Sequence, residues 1–200
     1  MHPLAVFWLD ASSAFFQLVT PFTVTDVSRR FDAEGRLLSE FRFQFAVNRD
    51  GSMVSLDLDP AVGRTRQILD AANSRNILID PKSRSVVIMP RPVSPRVARA
   101  GCAPAAPVFP GARVSTDKSA GTIHGVPVER ISVDEANGEG FDMYMAPSLG
   151  CYVLRSVARR NGLLLETRVA EDLQIGDPEP ALFEVPSDYR LTTVSMSVPK

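Results

Sequence analysis

Histidine and cysteine are scarce in this chain of 200 residues, which has only two of each. Zinc sites need thiolates and imidazoles clustered at ligand spacing, whereas His2, His124, Cys102 and Cys151 lie far apart in the sequence. No glycine-rich motif of the kind that cradles phosphates is present either. The sequence therefore predicts no metal site and no cofactor.

Long apolar runs and an excess of one charge are also missing. The formal net charge of −1 creates no overall field that would attract nucleic acid or an anionic membrane. No stretch approaches the roughly 18 apolar residues of a membrane span. The apolar segment Leu4–Leu9 is short, lacks a basic flank and is closed by Asp10, so it is not a complete signal peptide. We expect neither a nucleic-acid partner nor a membrane-spanning chain.

Signatures of catalysis are absent as well. Nucleophilic catalysis needs a base oriented by a third group, but His2 lies at the terminus and His124 is expected on a strand, with no nucleophile motif near it. The acidic run 134–142 is predicted to be a solvated hairpin tip rather than a calcium loop. A carboxylate pair of the glycosidase kind is defined by its separation in space, and the acidic residues here fall mostly at turns or on alternating polar faces. We expect no enzyme and assign no catalytic residue.

Turn residues, by contrast, are abundant and regularly placed. Asp50-Gly51, Asn137-Gly138 and Asn161-Gly162 lie between apolar runs and tolerate the positive φ of tight hairpins. Asp32–Gly35 and Asp80–Ser83 predict slightly longer turns. Short connections join antiparallel neighbours, so the pattern predicts a mainly β chain of about ten strands in an antiparallel meander.

One predicted strand carries large aromatic side chains on a single face. Phe41, Phe43, Phe45 and Val47 alternate with polar residues, as expected for a half-buried strand. The apolar runs Ile77–Ile79 and Val86–Met89 are unbroken and predict strands that are covered on both faces. The stripe is a candidate hydrophobic ligand site, and its simpler interpretation is ordinary core packing.

Helices and linkers are expected to be few. Residues 11–19 and 178–183 predict one or two short helices. The stretch from Pro90 through Pro110 contains six prolines, so it cannot supply the donors of a sheet ladder and predicts a long loop. We expect a single β domain over residues 1–200, with a front meander at 22–89, the proline-rich loop at 90–119 and a rear meander at 120–198.

The two cysteines leave two interpretations open. Cys102 and Cys151 could form a disulfide that ties the proline-rich loop to the rear meander, worth about 3–4 kcal/mol of stability. They could equally be two unpaired thiols. A disulfide is favoured only if the protein is exported.

Scattered turn and strand segments over about residues 21–190 carry a resemblance to known proteins. They are 21–24, 48–52, 79–81, 125–129 and 143–147, and the clearest is Gly176–Tyr189. The chain resembles exported bacterial β proteins of unknown function and, more distantly, LolA-like lipoprotein carriers. The resemblance implies a strongly curved half-barrel sheet, a concave face that binds acyl chains, and a place in the periplasm or cell envelope. No site residue of that group carries over to this chain.

Two functions are therefore expected. The first is a non-enzymatic envelope module that holds a lipid, a lipoprotein acyl chain or another hydrophobic ligand on the concave face, at Phe41, Phe43, Phe45 and Val47. The alternative is an interaction or structural protein that binds another envelope protein through a sheet edge or the proline-rich loop.

Overall fold

A computed structural model describes residues 20–59, 63–91, 102 and 111–194. Fourteen strands lie in this part of the chain. They are β1 (Phe22–Phe31), β2 (Leu37–Val47), β3 (Met53–Asp57), β4 (Arg66–Asp70), β5 (Arg75–Asp80), β6 (Ser85–Pro90), β7 (Arg113–Asp117), β8 (Thr122–Ile123), β9 (Val126–Pro127), β10 (Glu129–Asp134), β11 (Glu139–Ala146), β12 (Tyr152–Arg160), β13 (Leu163–Ile175) and β14 (Arg190–Thr193).

Twelve of these strands form one curved sheet in the order β14-β6-β5-β4-β3-β2-β1-β13-β12-β11-β10-β7. All neighbours are antiparallel except β14, which runs parallel to β6. The remaining strands, β8 and β9, form a small separate hairpin. The predicted mainly β, antiparallel fold is confirmed.

The pairing of β1 with β13 joins the front and rear meanders at the middle of the sheet. Strand β1 pairs with β2 on one side and with β13 on the other, each along nearly its whole length, so the two meanders share their central strands. The front strands therefore continue directly into the rear strands without a break in hydrogen bonding.

The glycine-tipped turns lie where the sequence predicts them. Gly138 has a φ of +80°, and Asn161 and Gly162 have φ values of +50° and +80°. Two successive positive φ values define the turn type whose twist matches a two-residue hairpin. The turn at Asn161-Gly162 therefore sets the register of β12 against β13.

The predictions of short helices and of a long loop agree with the structure only in part. A 3-10 turn at Pro180–Phe183 falls within the helix expected at 178–183, and a second 3-10 turn forms at Pro147–Leu149. The helix expected at 11–19 lies outside the described residues, as does most of the proline-rich loop. Strand β7 lies inside the range 90–119 that was expected to be loop. No helical segment in the described ranges is long and apolar enough to cross a bilayer.

The two faces of the sheet have separate cores. We call the face that carries Phe22, Val24 and Val47 the aromatic face, and the opposite face the strap face. A segment that we call the strap, residues 176–189, crosses the front half of the strap face. It packs Leu182, Phe183 and Tyr189 against a core cluster of the front strands, namely Ala46, Val54, Ile68, Ile77, Ile79 and Val86.

Two arginines of the front meander, Arg66 on β4 and Arg49 in the turn between β2 and β3, hold the strap in place. Arg66 donates hydrogen bonds to the backbone oxygens of Ala181, Leu182 and Glu184 at 2.8, 3.0 and 2.6 Å. Arg49 forms an ion pair with Asp177, with 2.6 Å between Nε and Oδ1.

One burial prediction is corrected by the strap. Ile77 and Ile79 are buried beneath it, whereas Leu78 points to the aromatic face and is 38% exposed. The run Ile77–Ile79 was expected to be covered on both faces. That prediction is wrong for the aromatic face, where Leu78 is exposed.

Candidate functional site

The four residues of the predicted stripe lie side by side on the aromatic face. Strand β2 pairs with β1 so that Phe41, Phe43, Phe45 and Val47 stand opposite Ser28, Asp26, Val24 and Phe22, respectively. Residues directly opposite each other in an antiparallel pair share a face. The stripe thus continues across β1, but it meets two polar residues there, at Asp26 and Ser28.

The half of the aromatic face around Phe22, Phe45 and Val47 is sealed. The Tyr152 ring stacks on the Phe45 ring with 4.9 Å between centroids and meets the Phe22 ring edge-on at 5.0 Å. Phe22 and Val47 are fully buried. Phe45 and Val47 therefore take part in core packing, which was the simpler interpretation of the stripe.

The β8–β9 hairpin covers this sealed half. Its Ile123 and Val126 pack against the core cluster that contains Phe22 and Ala170. His124 and Gly125 form the hairpin tip with φ values of +51° and +76°, and the imidazole Nε2 lies 2.7 Å from the backbone oxygen of Ala170. His124, a weak catalytic candidate in the sequence, thus occupies a turn and attaches the hairpin to the sheet.

A buried polar cluster of Asp26, Tyr152 and Arg168 lies at the border of the sealed half. The Arg168 guanidinium donates to Asp26 Oδ2 at 2.7 Å and to the Tyr152 hydroxyl oxygen at 2.8 Å. The Tyr152 hydroxyl also donates to Asp26 Oδ2. The guanidinium carbon lies 5.0 Å from the centroid of Phe43 and 5.4 Å from that of Tyr152, within the range of cation–π attraction.

Burial sets the charge states in this cluster. It raises the pKa of the Tyr152 hydroxyl well above its usual value, so the hydroxyl is a neutral donor. Burial alone lowers the pKa of Arg168, but Tyr152 and Asp26 outweigh it and raise that pKa. Arg168 therefore stays a cation, and its charge is balanced by Asp26.

Beyond this border, around Phe41 and Phe43, the aromatic face is open, and we call this part the open half. Phe41 is 45% exposed and Phe43 is half-buried. The Arg30 guanidinium carbon lies 5.9 Å from the Phe41 centroid. Glu166 accepts hydrogen bonds from Ser28 Oγ at 3.1 Å and from Arg30 Nε at 3.2 Å. The open half thus combines accessible aromatic surface with polar groups that are already paired.

The structure joins Cys102 and Cys151 in a disulfide with 5.3 Å between the Cα atoms. The backbone N–H of Cys102 donates to Glu129 Oε2 at 3.2 Å. Cys151 directly precedes Tyr152, so the bond attaches residue 102 to the strand that supplies the sealed aromatic cluster.

The acidic run 134–142 forms the hairpin tip that the sequence predicts. A cleft of about 250 Å³ lies there, lined by Asp134, Glu135, Gly138, Glu139, Gly140, Phe141, Asp142, Arg159 and Gly162. Burial raises the pKa of Asp142, yet hydrogen bonds from Arg159 and Ser132 outweigh it and hold that pKa below its usual range. Within the described ranges, no group of three or more potential metal ligands is found. Two of the run's acidic side chains are instead paired with arginines: Glu139 with Arg160, and Asp142 with Arg130 and Arg159.

Sequence reasoning missed the buried polar cluster. Asp26 is in phase with Phe22 and Val24 along β1, so it is a charged residue at an inward position. A carboxylate at an inward position of a strand indicates a buried polar cluster, because charges are almost never buried without a partner. Its partners Tyr152 and Arg168 come from distant strands, and only the three-dimensional structure identifies them.

No protein-family model matches the chain, and a search of curated proteins gives no match. Among solved structures, it is similar to an uncharacterized conserved protein from Thermus thermophilus. The TM-score is 0.54 and the identity 14%, and the match covers 95% of this chain and 99% of that one.

Two structures that contain MucB are similar at the same level. One is MucB in complex with MucA(peri), at a TM-score of 0.53 and 18% identity, covering 95% of this chain and 62% of the matched chain. The other is a MucA/MucB complex of Pseudomonas aeruginosa, at 0.53 and 19%, covering 96% and 65%. The chain thus spans less than two thirds of these matched chains, and the likeness defines a shared fold.

The predicted distant resemblance to LolA-like proteins is also found among solved structures. A LolA superfamily protein from Nitrosomonas europaea matches at a TM-score of 0.37 and 8% identity, over 92% of this chain and 99% of that one.

Proposed function

We propose that this chain is a non-enzymatic binding module that holds a lipid acyl chain or another hydrophobic ligand on the open half of the aromatic face. The observation that carries the proposal is the exposure of Phe41 beside half-buried Phe43. Aromatic side chains contribute large apolar areas to binding. Phe45 and Val47 support this surface from within the core rather than touching the ligand.

Further apolar side chains lie near the turns at the same end of the sheet. Leu37 and Leu38 on β2 are 54% and 66% exposed, and Leu163 on β13 is 51% exposed. Strand β1 lies between these two strands, with Arg30 opposite both Ser39 and Glu166. Exposed apolar side chains grouped in this way are typical of interaction sites.

We propose that the protein is exported. The disulfide between Cys102 and Cys151 supports this location, because such bonds persist in oxidising compartments and are rare in the cytosol. The interpretation of the chain as a non-enzyme rests on its lack of any sequence constellation for catalysis.

The ligand proposal predicts loss of cargo when the exposed aromatic surface is removed. We expect natively purified protein to carry lipid that mass spectrometry detects, and the Phe41→Ala/Phe43→Ala variant to bind it about tenfold more weakly or worse, because two apolar contacts are lost. Phe183→Ala is the matched control, since Phe183 packs on the strap face. Equal lipid content in the Phe41→Ala/Phe43→Ala variant and the wild type would rule out this site.

The alternative function is binding of another envelope protein through the edge strand β7. All five residues of β7 are exposed, and among the described strands it pairs only with β10. Edge strands accept an added strand from a partner. The similar MucB structures contain MucA, which supports a protein partner for this fold.

Two single proline substitutions test the edge. Neighbouring residues of a strand direct their backbone N–H groups to opposite sides, so proline at Val114 and proline at Ser115 remove donors from opposite sides of β7. We expect one variant to weaken pairing with β10 and lower the melting temperature, and the other to lose partner capture from envelope extracts at unchanged melting temperature. If instead partner capture is lost only where the melting temperature is also lowered, strand addition to β7 is excluded.

A further inference from the structure

One oxygen of the buried polar cluster is unsatisfied. Asp26 is fully buried, and its Oδ2 accepts hydrogen bonds from both Tyr152 and Arg168. Its Oδ1 is buried and has no hydrogen-bond partner. An unsatisfied buried acceptor is costly, and natural proteins rarely keep one without a water or ligand donor.

We infer that Asp26 is the polar anchor of the ligand site, where Oδ1 accepts a hydrogen bond from a hydroxyl or amide N–H at the end of an otherwise apolar chain. The inference rests on the proposed function, because it assigns the ligand's polar end while Phe41 and Phe43 hold its apolar part. It adds a residue that sequence reasoning did not select and defines the chemical class of ligand.

The position of Asp26 fits this role. It stands directly opposite Phe43 in the β1–β2 ladder, and Ser28, the next inward residue of β1, stands opposite Phe41. Asp26 thus lies where the open half meets the sealed half. A chain that lies along the two rings toward the sealed half would end beside the carboxylate.

The charges around Asp26 favour a neutral donor. Asp26 is paired with Arg168, and Glu166 is paired with Arg30 at 3.2 Å. An anionic head group would bring an unbalanced charge beside Asp26, and a cation would stand close to Arg168. A hydroxyl or amide satisfies Oδ1 without adding charge, so it avoids the cost of burying an unpaired ion.

The test compares decanol, decyl methyl ether and decanoate as ligands of the intact protein at pH 7, by isothermal titration calorimetry. The alcohol has a donor that the ether lacks, and the carboxylate is charged. We expect decanol to bind about tenfold more tightly than either of the others, because only decanol satisfies the buried acceptor. Equal affinities for decanol and the ether would overturn the assignment of Asp26.

Variants separate this inference from the proposed function. We expect the Asp26→Leu/Tyr152→Phe/Arg168→Met variant, checked for folding by circular dichroism, to bind the alcohol and the ether equally. Ser28→Ala is the matched control and should keep the preference for decanol. Loss of the preference for decanol in Ser28→Ala would instead identify Ser28 as the polar anchor.

If the ether and the alcohol bind equally to the wild type and Phe43→Ala weakens both, the proposed ligand site is supported and Asp26 is not its anchor. If none of the three binds, both proposals fail.

Discussion

Replacement of Arg168 by methionine is expected to lower the free energy of unfolding by about 3–5 kcal/mol, because it leaves the Asp26 carboxylate buried without its counter-ion. Asp26 is fully buried and the Arg168 side chain is 11% exposed, so the carboxylate that the substitution leaves behind is shielded from bulk solvent. The substitution also removes the donor to the Tyr152 hydroxyl oxygen and the cation above the Phe43 ring. Urea unfolding of the two proteins at pH 7 measures the difference.

The control for this experiment removes the whole polar cluster. Buried ion pairs that are replaced together by apolar residues of similar volume often leave stability unchanged or improved. We therefore expect the Asp26→Leu/Tyr152→Phe/Arg168→Met variant to recover most of the loss. A triple variant less stable than Arg168→Met alone would show that the cluster stabilises the fold by itself.

Removal of the disulfide has a comparable expected effect. The bond closes a loop between cysteines 49 positions apart, and the loss of its constraint on the unfolded chain costs about 4 kcal/mol. Because natural domains have only about 5–15 kcal/mol of stability, the Cys102→Ser/Cys151→Ser variant should unfold at a clearly lower urea concentration.

Reduction of the wild-type protein provides an independent measurement of the same bond. Treatment with dithiothreitol should lower its stability to that of the serine variant, and should leave the variant itself unchanged. Alkylation and mass spectrometry of the untreated native protein should find no free thiol. Two alkylated cysteines in native material would contradict the bond and would remove the main support for export.

The local signals of the fold could be read from the sequence, and the long-range pairings could not. Strict alternation identified β2, and the glycine-tipped turns marked the connections β2–β3, β10–β11 and β12–β13. Strand β4 was missed because Ile68 is its only fully buried side chain, and β7 because all of its residues are exposed. The β1–β13 and β6–β14 pairs join residues far apart in the chain, and no local pattern encodes them.

The candidate site shows the same division. Alternation placed Phe41, Phe43, Phe45 and Val47 on one face, but it could not separate the exposed pair from the buried pair. That separation depends on Tyr152 and the β8–β9 hairpin, which arrive from the rear half of the chain. The inward phase of Asp26 was the one local sign of the polar cluster.

The position of the strap has a consequence for the order of folding. The front strands are synthesised early, yet Leu182, Phe183 and Tyr189, which cover them, come near the end of the described chain. Contacts of such high sequence separation form slowly, since a long loop must close first. We therefore expect the isoleucines of β4 and β5 to stay uncovered until the strap arrives, and transiently exposed apolar surface of this kind is prone to aggregation.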